Sequence, residues 1–187
     1  IINSFLDHPQ VDRLIDALEP EELYALVSML GKSDCHDLMK YTNEAQLQAY
    51  MDIDLWNHGC FVPSRFEELL GVMASAGEEA VHKLLESTED PQIGLYLLNR
   101  CRIVNRTFDP EQDDEIGSME NVIPTPDNQF YLIMHPEDPH YAQVKALVDA
   151  LYYFDRARAV ALINSAVSED VDILEEQERE FRNSRVE

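Results

Sequence analysis

The most suggestive spacing of chemically active residues lies in the segment DPEQDDEIGSMEN, residues 109–121. Counted from its first residue, acidic side chains occupy positions 1, 3, 5, 7 and 12, which are Asp109, Glu111, Asp113, Glu115 and Glu120. This is the register of the calcium-binding loop of an EF-hand. Position 6, however, is Asp114, where such a loop needs glycine for its sharp turn. Two interpretations stay open, a calcium site and a solvated acidic loop, and the missing glycine favours the loop.

Two further groups of residues carry side chains of the types that bind metal ions. The first comprises His135, Glu137, Asp138 and His140, and the second comprises Asp52, Asp54, His58 and Cys60. Pro136 and Pro139 indicate that the first group is a connection into a helix, with Asp138 as its N-cap. The second group surrounds a predicted turn. We therefore interpret both groups as structural and predict no metal ligand.

Carboxylates that could act as a general acid and base are adjacent in the sequence. The pairs are Glu21 and Glu22, Glu67 and Glu68, and Glu78 and Glu79. Neighbouring residues point about 100° apart on a helix, so such a pair cannot flank one substrate atom. The sequence also lacks the G-x-S-x-G motif, a glycine-rich phosphate loop and the H-E-x-x-H motif. We therefore predict that the chain is not an enzyme, with no catalytic residue, no cofactor-binding residue and no cofactor.

The cysteines give no sign of a disulfide framework or a redox motif. Cys35, Cys60 and Cys101 are odd in number and lack the Cys-x-x-Cys spacing. This usage is typical of reduced, buried thiols in a cytosolic protein.

The charge of the chain restricts its partners. It has 37 acidic and 14 basic residues, with a formal net charge of −23. Nucleic acids and anionic membranes are recognised through a basic surface, so we predict that neither is a partner. Basic proteins, a neighbouring domain of the same polypeptide and divalent cations remain as candidate partners.

Hydropathy predicts a protein without a membrane segment. The longest apolar runs, such as FYLIM at residues 130–134, are far shorter than the roughly 20 residues that span a bilayer. The first residues, IINSFL, lack the basic flank and the length of a signal peptide. We therefore expect a soluble cytoplasmic protein. Because the chain begins with Ile1, we also expect it to be a fragment of a longer one.

The first hundred residues have the periodicity of short amphipathic helices arranged in pairs. Six apolar positions of the first pair recur in the second with a constant offset of 24 residues: Val11, Leu14, Ile15, Leu23, Leu26 and Val27 correspond to Cys35, Leu38, Met39, Leu47, Tyr50 and Met51. A third pair with looser spacing follows a turn at residues 56–63. Short helices cannot bury their apolar faces alone, so we expect the pairs to stack. Buried side chains are expected at Leu14, Leu26, Leu38 and Leu47.

The second half of the chain mixes a small β segment with further helices. A helix is predicted from Pro91 to about Arg102, and a strand from Phe130 to Met134 after a turn at Asp127 and Asn128. Residues 103–108 are a possible partner for that strand. Helices are expected from Asp138, over 155–166 and from Ser168, and the aromatics Tyr152, Tyr153 and Phe154 are expected to pack in the core.

These patterns predict a mainly α fold, a right-handed superhelix of short stacked helix pairs with a small β-hairpin insertion near residues 103–134. The predicted domains are a helical superhelix at 1–102, an acidic loop with a hairpin at 103–137, and a helical extension at 138–187 that packs on the first lobe.

The segment LIDALEPEELYALVSMLGKSDCHDLMKYTNEAQLQAYMDIDLW resembles the intracellular N-terminal superhelical domain of MgtE-type magnesium transporters. The resemblance covers about residues 5–100. The whole chain also looks like an uncharacterised bacterial family of unknown function. The transporter resemblance implies an acidic cytosolic domain that contributes to magnesium sensing.

Two functions therefore follow as expectations. The first is a non-enzymatic interaction or regulatory domain of a larger bacterial protein, with an acidic helical scaffold that binds a protein partner or a neighbouring domain. The alternative is a domain that senses divalent cations, Mg²⁺ in particular.

Overall fold

The computed structural model describes residues 8–31, 35–106, 122–134 and 137–186. Within these residues the chain is mainly helical and contains two small antiparallel sheets, which confirms the predicted fold class. It divides into two compact units, Ile1–Thr88 and Glu89–Glu187. We describe each unit separately. The acidic segment 109–121, including the predicted EF-hand-like positions, lies outside the described residues.

The described part of the first unit contains six helices and one small hairpin. The helices are α1 (Val11–Asp16), α2 (Pro20–Leu30), α3 (His36–Met39), α4 (Glu44–Asp54), α5 (Pro63–Ala76) and α6 (Glu78–Ser87). Helix α2 packs against α4, α3 against α5, and α4 against α6, so each pair contacts the next. The handedness of the stack stays a prediction.

Local sequence signals explain where these helices begin and end. Pro20 begins α2, where its missing N–H costs no hydrogen bond, and Gly31 ends it with a φ of +86°. Asn43 caps α4: its side chain accepts a hydrogen bond from the Gln46 N–H, and the Gln46 side chain accepts one from the Asn43 N–H. This reciprocal arrangement satisfies two backbone donors at the start of the helix.

The core of the first unit follows the 24-residue offset at most positions. Four residues of the first pair and their counterparts in the second are all buried: Val11, Ile15, Leu23, Val27, Cys35, Met39, Leu47 and Met51. Leu38 is buried as well. Leu26, in contrast, is only half-buried, and Leu14 is 41% exposed. The expectation of deep burial is therefore wrong for Leu14, because that side of α1 faces solvent, and it is met only in part at Leu26.

The turn predicted at residues 56–63 contains a two-stranded hairpin. Strand β1 (Trp56–Asn57) pairs with β2 (Cys60–Phe61), and the turn between them has positive φ at His58 and Gly59. The Trp56 ring meets Phe61 edge-on, with 5.5 Å between ring centroids. The hairpin thereby covers apolar surface next to the end of α4.

The described part of the second unit contains four helices and one three-stranded sheet, and its first helix packs against two of the other helices and one strand. The helices and strands are α7 (Asp90–Arg100), β3 (Arg102–Asn105), β4 (Val122–Pro124), β5 (Phe130–Ile133), α8 (Tyr141–Phe154), α9 (Arg156–Ser168) and α10 (Val171–Val186). The sheet order is β3-β5-β4, with Ile103 and Ile123 both opposite Leu132. The predicted strand and its partner after residue 102 are confirmed. Pro124 lies in an edge strand, where its lack of an N–H is tolerated.

Several boundaries differ from those expected from the sequence. The helix expected to begin after Asp138 begins at Tyr141, because the Asp138 carboxylate accepts a hydrogen bond from the His140 N–H and holds residues 138–140 in a turn. The last helix begins at Val171, not at Ser168. Helix α7 was expected in a first domain ending at residue 102, but it packs against α9 and α10 and belongs to the second unit.

Helix length bears on the predicted absence of a membrane segment. The longest helix in the described ranges, α10, has 16 residues, whereas a bilayer-spanning helix needs about 20 apolar ones. None of the helices that the structure describes is long and apolar enough to cross a membrane.

Candidate functional site

Carboxylates dominate the surface of the first unit. Residues 1–88 contain 16 acidic and 5 basic side chains. Ten acidic residues in the described part are exposed, and we call them the exposed carboxylates of the first unit: Asp12, Asp16, Glu19, Glu21, Glu22, Glu44, Glu68, Glu78, Glu79 and Glu86. Several of them occupy the first turns of α2, α4 and α6, where a negative charge stabilises the helix N-terminus.

Two basic side chains of this unit are directed to backbone carbonyl groups. Lys83 Nζ donates hydrogen bonds to the carbonyl oxygens of Lys40 and Thr42 at 2.8 and 2.7 Å. Arg65 Nη1 donates to the carbonyl oxygen of Asp54 at 2.7 Å. Burial lowers the pKa of Lys83. Both cations satisfy carbonyl acceptors near helix ends, and the carboxylates of Glu44 and Glu79 act on the Lys83 charge as well.

A third basic side chain forms a local ion pair. Lys40 Nζ lies 2.7 Å from Asp37 Oδ1, and this hydrogen bond lowers the pKa of Asp37 and raises that of Lys40. Exposed pairs of this kind contribute little to stability. With ten exposed carboxylates and only 5 basic side chains, the first unit presents a surface of concentrated negative charge.

A different polar arrangement joins the β-hairpin of the second unit to α8. We call it the Asp127 cluster, and its members are Thr125, Asp127, Tyr152 and Arg156. Asp127 Oδ1 accepts hydrogen bonds from the Thr125 hydroxyl at 2.9 Å, the Tyr152 hydroxyl at 3.0 Å and the Gln129 N–H at 3.1 Å. Arg156 Nη2 lies 3.6 Å from the other carboxylate oxygen.

The pKa shifts in the Asp127 cluster favour an ionised carboxylate and a protonated phenol, which is a structural arrangement and not a catalytic one. Burial by itself would raise the pKa of Asp127, but the hydrogen bonds from Gln129, Thr125 and Tyr152 outweigh it and lower that pKa. Burial, together with the Asp127 carboxylate, raises the pKa of Tyr152 to about 12. The carboxylate thus stays ionised and the phenol stays protonated near neutral pH, so neither group is poised to transfer a proton.

A cleft in the second unit also lacks an activated thiol or carboxylate among the side chains described below. It has a volume of about 520 Å³ and is lined by residues that include Arg100, Cys101, Arg102, Glu169 and Asp170. Glu169 accepts hydrogen bonds from Ser165 and Gln177 at 2.9 and 2.8 Å. Burial raises the pKa of the Cys101 thiol to about 12, so the nucleophilic thiolate is suppressed.

The structure does not bring the metal-capable residues of the sequence together. Among residues 8–31, 35–106, 122–134 and 137–186, no group of three or more His, Cys, Asp or Glu side chains is arranged to hold a metal ion. In the segment around the β1–β2 turn, Asp54 is buried, while His58 and Cys60 are exposed. His135 lies outside the described residues.

Comparison with protein families gives a match over the full length of the chain. A family model described as a family of unknown function, DUF6178, matches residues 1–187. The chain belongs to the DUF6178 family. Comparison with curated proteins and with solved structures found no match. Membership confirms the expectation of an uncharacterised family.

Two side-chain hydrogen bonds to backbone carbonyl groups in this DUF6178 protein were not predictable from local sequence patterns. The hydrogen bond from Lys83 to the carbonyl oxygen of Lys40 joins residues 43 apart in the sequence. The bond from Arg65 to the carbonyl oxygen of Asp54 joins residues 11 apart. Tyr153 is a further difference, since it is 73% exposed although a core position was expected. It follows Tyr152 directly, and the next residue along a helix points to another side.

We expect the three thiols of this DUF6178 protein to react at very different rates. Cys35 and Cys101 are buried and Cys60 is exposed, contrary to the expectation that all three are buried. At pH 8 an aromatic disulfide reagent should therefore label one thiol per folded chain quickly and all three in denaturant. Cys60→Ser should remove the fast phase, whereas Cys101→Ser should leave it unchanged. A fast phase that survives Cys60→Ser would contradict the described burial.

Proposed function

We propose that this chain is a non-enzymatic interaction or regulatory domain of a larger bacterial protein, and that its first unit binds a basic partner protein or a neighbouring domain. The observation that carries the proposal is the excess of exposed carboxylates on that unit, which has 16 acidic and only 5 basic side chains. A surface with such an excess of one sign attracts cationic partners and raises their association rate.

The state of the candidate reactive groups supports a role without catalysis. Burial raises the pKa of the Cys101 thiol to about 12, and Asp127 is held by three hydrogen bonds. A general base needs a pKa near the working pH and a free path to the substrate proton. In this proposal the Cys101 thiol contributes to packing, and Asp127 attaches the hairpin to α8.

A second candidate function is the sensing of Mg²⁺. It is favoured by the resemblance of about residues 5–100 to the N-terminal domain of MgtE-type transporters and by the acidic pairs at the starts of α2 and α6. Mg²⁺ prefers an octahedral set of oxygen ligands, usually including water and one or two carboxylates. The acidic pairs at these two helix starts would supply such ligands in this alternative.

Thermal unfolding in different cations tests the proposal against the alternative. The protein would be melted in millimolar MgCl₂, in NaCl and in a salt of a bulky divalent organic cation, at matched ionic strength. Screening of a chain with a net charge of −23 should raise the melting temperature in all three. A specific site adds a stabilisation of RT ln(1 + [L]/Kd), which saturates with ligand concentration.

Equal shifts in MgCl₂ and in the organic salt would support the interaction domain. A saturable shift with Mg²⁺ alone, lost in a Glu78→Gln/Glu79→Gln variant, would replace it with the sensor. Glu67→Gln/Glu68→Gln, a change of the same size on α5, is the matched control.

A further inference from the structure

Two contacts show which side of α4 packs against the first helical pair, α1 and α2. Gln46 Nε2 donates hydrogen bonds to the carbonyl oxygens of Ile15 and Leu18, both at 2.7 Å, at the C-terminal end of α1. One turn further along α4, the Tyr50 ring lies 5.6 Å from the Tyr24 ring of α2. Gln46 and Tyr50 therefore lie on the side of α4 that is covered by the preceding pair.

The third pair meets the second through the same kind of contact. Lys83 of α6 donates to the carbonyl oxygens of Lys40 and Thr42 at the end of α3. These acceptors lie 24 residues after Asp16 and Leu18 at the end of α1. Each pair thus places a hydrogen-bond donor, Gln46 or Lys83, against the carbonyl groups of the pair before it.

In the first pair the corresponding side of α2 is not covered by a preceding pair in the described residues. With the offset of 24, Glu22 corresponds to Gln46, Leu26 to Tyr50 and Leu30 to Asp54. Tyr50 and Asp54 are 1% and 6% exposed, whereas Leu26 and Leu30 are only half-buried. Met29, on the same flank of α2, is 76% exposed. We call Glu22, Leu26, Met29 and Leu30 the open face of α2.

The negative charge of Glu22 on the open face restricts the kind of partner that can bind there. At the position where the second pair has the donor Gln46, the first pair has Glu22, and a carboxylate accepts hydrogen bonds but cannot donate them to helix carbonyls. A further pair of the same type would therefore leave its C-terminal carbonyl groups facing a negative charge. A second copy of this chain would bring two Glu22 side chains and two acidic units together.

We infer that the open face of α2 is a docking site for an amphipathic helix that bears lysine or arginine beside its apolar stripe. The apolar residues of the partner contact Leu26, Met29 and Leu30, and a cation of the partner pairs with Glu22. This inference rests on the proposed interaction function and adds to it the location and the kind of partner.

The test uses three synthetic peptides of about 18 residues, long enough for several helical turns. One has leucine at helical spacing with lysine elsewhere, the second has the same lysines with serine for leucine, and the third has glutamate for lysine. Binding to the full chain is measured by calorimetry at about 50 mM NaCl, where charge screening is weak. The leucine–lysine peptide should bind at least tenfold more tightly than the other two.

Variants of the protein locate the site. Met29→Ser and Glu22→Gln should each weaken binding of the leucine–lysine peptide at least fivefold, and glutamine keeps the capping contact of residue 22 with the Glu19 N–H. Tyr153→Ser, at a residue that is 73% exposed, and Asp172→Asn, at an exposed helix start of the second unit, are the matched controls. They should change the affinity less than twofold.

The possible failures are distinguishable. If the serine–lysine peptide binds as tightly as the leucine–lysine peptide, or if the controls weaken binding as much as Met29→Ser, the open face is not the site although the acidic interaction function stands. If neither lysine peptide binds, the interaction function itself fails. A dimer in sedimentation that dissociates on Met29→Ser would make a second copy the occupant and overturn the inference.

Discussion

Replacing Leu38 with alanine should lower the free energy of unfolding of the first unit by about 2 to 5 kcal/mol, whereas the same change at Leu14 should cost about 1 kcal/mol or less. The two leucines are 24 residues apart and occupy the same place in the sequence pattern. Leu38 is 1% exposed and Leu14 is 41% exposed. The cost of the truncation depends on how much apolar surface the side chain buries and on the cavity that its removal leaves, and both are smaller at Leu14.

The measurement is urea unfolding followed by the fluorescence of the single tryptophan. Trp56 is 7% exposed and lies in the first unit, so its emission reports the unfolding of that unit. Alanine favours helix at least as well as leucine, so a difference in helix propensity cannot produce the loss of stability at Leu38. Leu47→Ala, at a fully buried site, should resemble Leu38→Ala. Equal destabilisation at Leu14 and Leu38 would contradict the different burial of the two sites.

The second large effect is expected at Asp127, where alanine should destabilise the second unit by about 2 to 4 kcal/mol at neutral pH. The Asp127 side chain is 4% exposed and accepts three hydrogen bonds, so its removal leaves the Thr125 and Tyr152 hydroxyls without this acceptor. Hydrogen bonds to a charged group contribute more than those between neutral groups.

The stabilisation of the second unit by the Asp127 carboxylate should decrease as the pH falls. The pKa of Asp127 is lowered from its ordinary value of 3.8 in the folded protein. A carboxyl group with a lowered folded pKa stabilises the fold fully above its unfolded pKa, and that stabilisation is lost as the pH falls through the folded value. The difference in stability between the parent protein and Asp127→Asn should therefore be constant from pH 6 to 8 and shrink below about pH 4.

Neighbouring tyrosines provide the control for Asp127. Tyr152→Phe removes the hydroxyl that donates to Asp127 and should weaken the effect of Asp127→Ala in a double-mutant cycle. Tyr153→Phe, at a residue that is 73% exposed, should leave the effect of Asp127→Ala unchanged. A stability difference for Asp127→Asn that stays constant down to pH 3 would show that the carboxylate charge is not part of the attachment.

Comparison of the first two helical pairs shows which structural features local sequence patterns can predict. The apolar period, Pro20 at a helix start and Gly31 at a helix end predicted helices that the structure contains, because these signals act within one or two turns of backbone. The strand at Phe130 and the turn at Asp127 were predicted for the same reason. The start of α8 was missed by a few residues, since Asp138 stabilises a turn as readily as a helix cap.

The same local pattern could not predict which surfaces are covered. Leu14 and Leu38 are equivalent in the sequence, yet only Leu38 is buried, because burial depends on which helices pack against each side. The donors that join the pairs were also missed: Gln46 reaches the carbonyl of Ile15 across 31 residues, and no periodicity marks a contact of that length.

The sequence by itself thus determined the helical class, most element positions, the small β segment and the negative charge, since each depends on composition or on neighbours along the chain. Only the tertiary structure decided that Lys83 and Arg65 donate to carbonyl groups and that Asp127 holds Tyr152. It also decided that Glu22 and Met29 of α2 are exposed while Leu26 beside them is half-buried. These properties depend on which side chains meet across long separations, and that is settled when the whole core packs to minimise exposed apolar surface and unpaired polar groups.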